Sequence, residues 1–345
     1  MVVDRHNKPM VAVVIVNFNG CDLLPDCLGS LAQQSFTDFT TILVDNNSQD
    51  ESIKYARNNY PAVKIIPCSK NHGFAEGNNI GIRVAFNKYN PKYIVTLNND
   101  TKVDPVWLQK LVEQAAQDDK IGACGSKILF HENPKLINSV GLIPFLDGQS
   151  EDRGIFQKDT GQFEQEEEVF GVNACATLYR ADLLKKIGLF DADYFLYCED
   201  TDLVWRIRLA GYRALYVPAA KVWHKQSITT GKFSTQTIYY VIRNGYWTAL
   251  KNLPRTLWLK SLFFAPLRLL KIGMQSTRGD NFRTSYLDKQ KKSVIIFTII
   301  KAYLAAILGM PKMLPKRWKV LKYRQATTAE INGWLSKYSL PLRKL

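Results

Sequence analysis

Three times within the first 100 residues, a short uncharged run rich in β-branched side chains stops abruptly on Asn or Asp. Val11 to Val16 ends in Asn17-Phe18-Asn19-Gly20, Thr40 to Val44 in Asp45-Asn46-Asn47-Ser48-Gln49-Asp50, and Tyr93 to Leu97 in Asn98-Asn99-Asp100. Runs of this length and composition predict buried strands. Between them Cys21 to Gln34, Ser52 to Asn59 and Gly77 to Tyr89 have helical spacing, the first through Leu24, Leu28 and Leu31, and Val63 to Pro67 adds a further strand. Strands and helices alternating at this pace predict an α/β fold with a mainly parallel, doubly wound sheet. The carboxyl ends of such strands are where open α/β sheets take their ligands.

The pattern continues less regularly. Asp104 and Pro105 suit the start of a helix over Pro105 to Gln117. Strands are expected over Ile121 to Phe130, Phe170 to Tyr179 and Tyr212 to Pro218, and helices over Ala181 to Ile187 and Leu203 to Ala210. Residues 131 to 168 are polar and irregular, end in the acidic run Glu164 to Glu168, and suit a segment that covers or frames a site.

Chemistry-bearing residues gather at strand ends. Asp100, flanked by Asn98 and Asn99, suits a hard divalent cation that shares its remaining oxygens with a substrate phosphate, although a polar turn would read the same way. Glu199, Asp200 and Asp202 open a helix, where acids also favour the macrodipole and Thr201 or Asp202 would serve as a cap. His224 follows the last strand, and Lys225 and Lys232 bracket a Ser/Thr/Gly loop suited to phosphate.

Charge divides the chain. Residues 1 to 220 carry 22 Lys and Arg against 28 Asp and Glu, whereas 221 to 345 carry 24 against 3. A strongly basic tail implies an anionic partner, nucleic acid or anionic lipid. The basic residues are interleaved with long aliphatic runs that nucleic-acid binding does not need, which favours an anionic membrane surface and predicts no nucleic-acid partner. Ser293 to Met310 is an apolar run of 18 residues whose only charge is Lys301, barely the length of a span. Basic clusters lie on both sides of it, Lys289 to Lys292 and Lys312 to Arg324, so helices lying in the interface are expected. An ordinary helical subdomain with a basic surface is the alternative. The six cysteines show no paired spacing and read as reduced thiols of a cytoplasmic protein, and Met10 to Val16 reads as a first strand rather than a secretory core.

Taken in order, V-I-V-N-F-N-G, L-V-D-N-N-S-Q-D, N-H-G-F-A-E-G-N-N-I-G, L-N-N-D, Y-C-E-D-T-D-L-V-W-R and V-W-H resemble the family 2 glycosyltransferases of the GT-A fold, especially the bacterial rhamnosyltransferase-like branch. The resemblance covers roughly residues 10 to 250. It implies an inverting, metal-dependent transfer from a nucleoside diphosphate sugar, dTDP-L-rhamnose or a UDP-hexose, to a hydroxyl of a polyprenyl-linked or surface glycan. Asp45 would accept the imide N–H of the base, with Asn17, Phe18 and Asn19 around it. Asn71, Gly73, Phe74 and Asn78 would pass along the ribose and sugar. Asp100 and His224 would hold Mg2+ or Mn2+; the commoner D-x-D form is altered, because Asn98 stands at the first acid. Lys225, Lys232 and Arg243 would assist at the diphosphate, and of the pair Glu199 and Asp200 the base would be Asp200, with Asp202 capping the helix. The expected organisation is a catalytic domain over residues 1–232 and a helical, basic region over 233–345, peripheral on the inner face of the cell membrane. A nucleotidyltransferase is disfavoured because no Gly-rich loop bearing Lys or Arg follows the first strand, and a binding protein without chemistry is disfavoured by Asp100, Asp200 and His224.

Overall fold

The computed structural model describes residues 9–226, 234–276 and 292–340. Its elements run β1 Val11–Asn17, α1 Leu24–Ala32, β2 Phe39–Asp45, α2 Ser52–Asn59, β3 Lys64–Pro67, α3 Gly73–Lys88, β4 Tyr93–Asn98, β5 Thr101–Val103, α4 Trp107–Gln117 and β6 Ile121–Phe130. There follow β7 Ile137–Ser139, β8 Leu142–Pro144, β9 Ser150–Asp152, β10 Glu167–Val169, β11 Ala176–Arg180, α5 Ala181–Ile187, α6 Glu199–Leu209 and β12 Arg213–His224. Among the described residues four helices follow: α7 Thr235–Asn252, α8 Arg255–Ser276, α9 Lys292–Tyr323 and α10 Thr328–Tyr338.

Two compact units form. One holds residues 9–142 with Asp152–Phe195 and Tyr212–Gln226; the other holds Ile143–Glu151, Leu196–Gly211 and the described helices from Ser234 onward. The expected division at residue 232 puts 143–151 and 196–211 with the first domain, whereas by contacts they group with the second unit.

The first unit is a ten-stranded sheet in the order β10-β12-β6-β11-β4-β1-β2-β3, with β5 on β12 and β7 on β6. β4, β1, β2 and β3 are parallel neighbours, while β11 runs antiparallel between β4 and β6. Val11, Val13 and Ile15 of β1 join a core with Leu24, Leu28 and Leu31 of α1 and Trp107, Leu108 and Leu111 of α4. On the other face Val14 and Val16 meet α3 at Gly81 and Gly77, where there is no room for a larger side chain. A strand covered on both faces must be apolar throughout, which is why β1 shows no alternation.

Several boundaries differ from expectation. β12 runs on to His224, because a register shift between Val217 and Lys221 absorbs Pro218 and the strand resumes beside β6 and β5. α4 begins at Trp107, and Asp104 instead accepts from the Val106 amide at 3.0 Å. Phe170 to Cys175 lies outside the ladder, held by Asn173, whose Oδ1 accepts from the Cys175 amide at 2.9 Å. The acidic segment before β10 pins itself down: the fully buried Lys127 pairs with Asp159 at 2.7 Å and with Glu164, and Arg153 pairs with Glu167 at 2.7 Å.

In the second unit α9 packs along α7. Trp247 Nε1 donates to Ala306 O at 3.0 Å, its ring lies over Gly309, and Arg317 donates to the carbonyls of Leu253 (2.7 Å) and Leu250. The loop before β9 is held by Arg268 of α8, which donates to Asp147 at 2.7 Å and to Gln149.

Candidate active site

Parallel register sets the first group of residues side by side. Asn17 ends β1 directly opposite Asp45 at the end of β2, and Val16 stands opposite Asn98 at the end of β4. Fully buried, Asn17 donates to Asp45 Oδ1 (3.3 Å) and Ser48 Oγ (3.1 Å) and accepts from Asn99 Nδ2 (2.8 Å). One buried amide therefore ties three strand ends together. Asp45 Oδ2 accepts from the Ser48 amide at 3.0 Å, and Asn19 Oδ1 from the Gln49 amide at 2.7 Å. Gly20 is required here, since a Cβ would collide with Asn17 and Asn99. Phe18 stands half-buried beside them.

Asn46, which sequence reasoning passed over, organises the next segment. It is buried, donates to Asn71 Oδ1 (3.0 Å) and Gly73 O (3.1 Å), and accepts from the His72 amide (2.9 Å). Gly73 has φ of +74°, and the Phe195 carbonyl, which accepts from Phe74 N at 2.8 Å, closes off the space a side chain would need. Asn78 turns to its own helix, donating to Phe74 O at 3.0 Å. Its place in the expected sugar-facing set is thus as a buried helix residue bonded to the backbone.

Asp100 and His224 come together because β5 pairs with β12, with Thr101 opposite His224. Asp100 Oδ1 lies 3.1 Å from His224 Nε2, and His224 Nδ1 lies 3.2 Å from Asn138 Oδ1 on β7. Burial disfavours the ionised Asp100, but the His224 charge and hydrogen bond outweigh it and lower its pKa. For His224 burial acts against charging, and the neighbouring Cys175 and Asp100 more than offset it, so its pKa lies well above the usual value. Asn98 Oδ1 is buried without a hydrogen-bond partner and is a candidate neutral oxygen ligand. Among the described residues no three His, Cys, Asp or Glu side chains converge as a metal site. The donor set fits a divalent cation that completes its shell with substrate oxygens and water, and does not fit one held by protein alone. Lys225 pairs with Asp26 at 2.7 Å; Lys232 lies outside the described residues.

Glu199 and Asp200 belong to the second unit, where they open α6. Tyr197 and Cys198 before them have φ of +69° and +64°, a conformation that costs non-glycine residues energy. Asn244 of α7 holds this turn, donating to Leu196 O at 2.9 Å and Tyr197 O at 2.8 Å. Glu199 is only 6 % exposed, and its Oε2 has no partner. Burial first, then the charges of Asp200 and Asp202, pushes its pKa up to about 8. Asp200 Oδ1 accepts from the Thr201 amide at 2.6 Å, and the Thr201 hydroxyl lies 2.6 Å from Ser150 Oγ. Asp202 is not a cap: it is fully buried and paired with Arg206, Lys251 and Asn252, each at 2.8 Å. Arg243 packs over the rings of Tyr239, Tyr240 and Trp247.

This arrangement, a mainly parallel sheet with amides and carboxylates at its strand ends, has the GT-A fold. The glycosyl transferase family 2 model matches residues 12–188, and the chain belongs to that family. Over 243 residues it is 27 % identical to N-acetylglucosaminyl-diphospho-decaprenol L-rhamnosyltransferase of Mycobacterium tuberculosis, covering 65 % of this chain and 78 % of that one. It is 25 % identical over 232 residues to the O-antigen biosynthesis protein RfbC of Myxococcus xanthus, covering 64 % of this chain and 18 % of that longer protein. Among solved structures, the mannosyltransferase PcManGT from Pyrobaculum calidifontis, in complex with GDP-Man and Mn2+, superposes with a TM-score of 0.53 at 15 % identity, over 89 % of this chain and 88 % of that one. GalNAc-T7 with UDP, GalNAc and Mn2+ gives 0.56 at 18 % identity, over 69 % and 48 %.

Proposed function

We propose that this glycosyltransferase transfers L-rhamnose, with inversion, from dTDP-L-rhamnose to a hydroxyl of a lipid-linked or cell-surface glycan, at the cytoplasmic face of a membrane. The observation that carries the donor half is the strand-end cluster in which Asn17 joins Asp45, Ser48 and Asn99. The sugar and the acceptor class rest on the rhamnosyltransferase relative, whose name specifies a decaprenol-linked acceptor.

In this reading Asp45 accepts the imide N–H of the base, Asn17, Phe18 and Asn19 line the nucleoside, and Asn71, Gly73 and Phe74 run along the ribose and sugar. Asp100 and His224 would hold Mg2+ or Mn2+, with Asn98 and Asn99 beside them. A bound cation there supplies charge neutralisation for the departing diphosphate. Lys225, Lys232 and Arg243 add positive charge for the same anion. Asp200 takes the acceptor hydroxyl proton as the hydroxyl oxygen bonds to C1 and the C1–O bond to the diphosphate breaks, its electron pair leaving with the nucleotide.

A thermal-shift panel of dTDP-rhamnose, dTDP-glucose, UDP-glucose, UDP-galactose and UDP-GlcNAc, with and without Mn2+, tests the donor. At a hundred times its dissociation constant a donor adds about 2.7 kcal/mol. The expected result is a shift for dTDP-rhamnose that needs Mn2+ and disappears in Asp100→Ala, while Asp200→Asn keeps the shift and loses transfer. A shift for a UDP-sugar alone redirects the donor assignment. No shift with any donor, and no change in Asp100→Ala, overturns the reading in favour of a binding protein without this chemistry.

A further inference from the structure

Among the described residues one helix, α9, is long and apolar enough to cross a membrane. Its packing says otherwise. Thr298, Ala302, Ala306, Met313 and Val320 form one buried row along its length, and α7 packs against α9. Trp247, Leu250 and Leu253 reach α9 through hydrogen bonds spread from Ala306 to Arg317. A spanning α9 would drag α7 into hydrocarbon with it, together with Asn244, Lys251 and the Asp202 and Arg206 charges buried against it.

The opposite face is uncovered. Phe297, Ile300, Leu304, Ile307, Leu308 and Trp318 are all more than half exposed, Leu308 as much as 80 %. At 3.6 residues per turn they fall within an arc of about 120°, opposite the buried row. Exposed Lys301, Lys312 and Lys319 run along one border of that arc. Helix α8 repeats the pattern at three- and four-residue spacing with Phe263, Leu267 and Leu270, each more than half exposed. Scattered exposed apolar residues mean little, but two rows of them mark a partner surface.

We propose that α8 and α9 form a monotopic membrane surface, with the exposed row of α9 lying in the plane of an anionic bilayer and its lysine border on the headgroups. Charge selects the partner: residues 221 to 345 carry 24 Lys and Arg against 3 Asp and Glu, so a second copy would bring like charge to the same face, whereas anionic lipid brings the opposite sign. Nucleic acid would satisfy the lysines and leave the apolar rows in water. The inference rests on the helices and not on the identity of the donor sugar.

The test is sedimentation of the full chain with vesicles of phosphatidylcholine containing about one-third phosphatidylglycerol, and with phosphatidylcholine alone. The protein is expected to sediment with the anionic vesicles and to be released by alkaline carbonate. Combining Phe297→Ser, Leu304→Ser and Leu308→Ser should lower partitioning by at least about a hundredfold. Combining Lys312→Gln and Lys319→Gln should weaken binding to anionic vesicles only. Thermal unfolding and the donor-induced shift report on fold and donor site separately, so loss of vesicle binding is not confused with loss of donor binding. Equal sedimentation of the serine variant, resistance to carbonate, or a dimer dispersed by the serine variant without vesicle binding each overturns the proposal.

Discussion

Glu199 should make this protein less stable as pH rises through neutrality, and the size of the effect follows from where the side chain sits. A carboxyl group 6 % exposed, with Oε2 unpartnered, ionises only at a cost, and its pKa rises from the ordinary 4.5 to about 8. The folded state therefore keeps a proton that the unfolded state releases, and stability falls with pH throughout the window from 4.5 to 8. One pKa unit corresponds to about 1.4 kcal/mol, so stability falls by a few kcal/mol, on the order of 3, between pH 5 and pH 8 and little beyond. Glu199→Gln fixes the side chain in a neutral form and removes this slope, whatever it does to stability at one pH. Urea unfolding followed by tryptophan fluorescence at pH 5, 7 and 8 measures it, provided both proteins share one m value. The gap between variant and wild type should widen in favour of Gln by a few kcal/mol, on the order of 3, from pH 5 to pH 8. A gap constant within about 0.5 kcal/mol across that range would show that Glu199 is ionised in the folded state, and the burial argument would be wrong.

The remaining predictions concern packing and support. Gly81→Ala gains about 1 kcal/mol of helix propensity but places a Cβ against Val14 and 3.0 Å from Val44, which costs about 1–3 kcal/mol, so a net loss in urea unfolding is expected; Gly333→Ala on α10, with nothing within 4 Å, should instead stabilise. Asp202→Asn leaves Arg206 and Lys251 buried without their carboxylate and should destabilise by about 3–5 kcal/mol in the same assay. Asn46→Ala removes three hydrogen bonds to the Asn71–Gly73 segment; nucleotide affinity by calorimetry should fall at least about tenfold while the far-UV spectrum stays unchanged.

The parallel half of the sheet was legible because burial on both faces forces unbroken apolar runs, and because strand ends at a ligand crevice are polar. β1, β2 and β4 stand where Val11, Thr40 and Tyr93 led one to expect them. The later half was harder for a physical reason: its strands are interrupted. Pro218 reads as a strand terminator, yet a bulge accommodates it and carries β12 on to His224. Phe170 to Cys175 is apolar enough for a strand, but it meets its neighbours only at single points, the Gly171 carbonyl accepting from Leu142 N and the Cys175 carbonyl from Asn98 N, rather than as a continuous ladder. The supporting amides were invisible for a related reason. Asn138 reaches His224 across 86 positions and Asn244 reaches Leu196 across 48, and no local spacing announces either.

The run Glu199-Asp200-Thr201-Asp202 shows why residue type alone misassigns acids. Three carboxylates at a helix start all look like macrodipole or capping residues in sequence. On a helix, successive positions turn by about 100°, so the three face different surroundings and take different states. Asp202 meets Arg206, Lys251 and Asn252, donors enough to hold a buried charge, and so becomes part of the scaffold. Glu199 has an orphaned oxygen and keeps its proton. Asp200 has the Thr201 amide and hydroxyl on one oxygen, an arrangement that fixes the carboxylate through neutral donors. On the role proposed for Asp200, a neutral Glu199 beside it would leave that base next to one fewer negative charge than the sequence suggests. The Asp202 pairing was half visible, since Arg206 lies four residues on along the same helix; Lys251 and Asn252, half a hundred positions away, could be placed only by the fold.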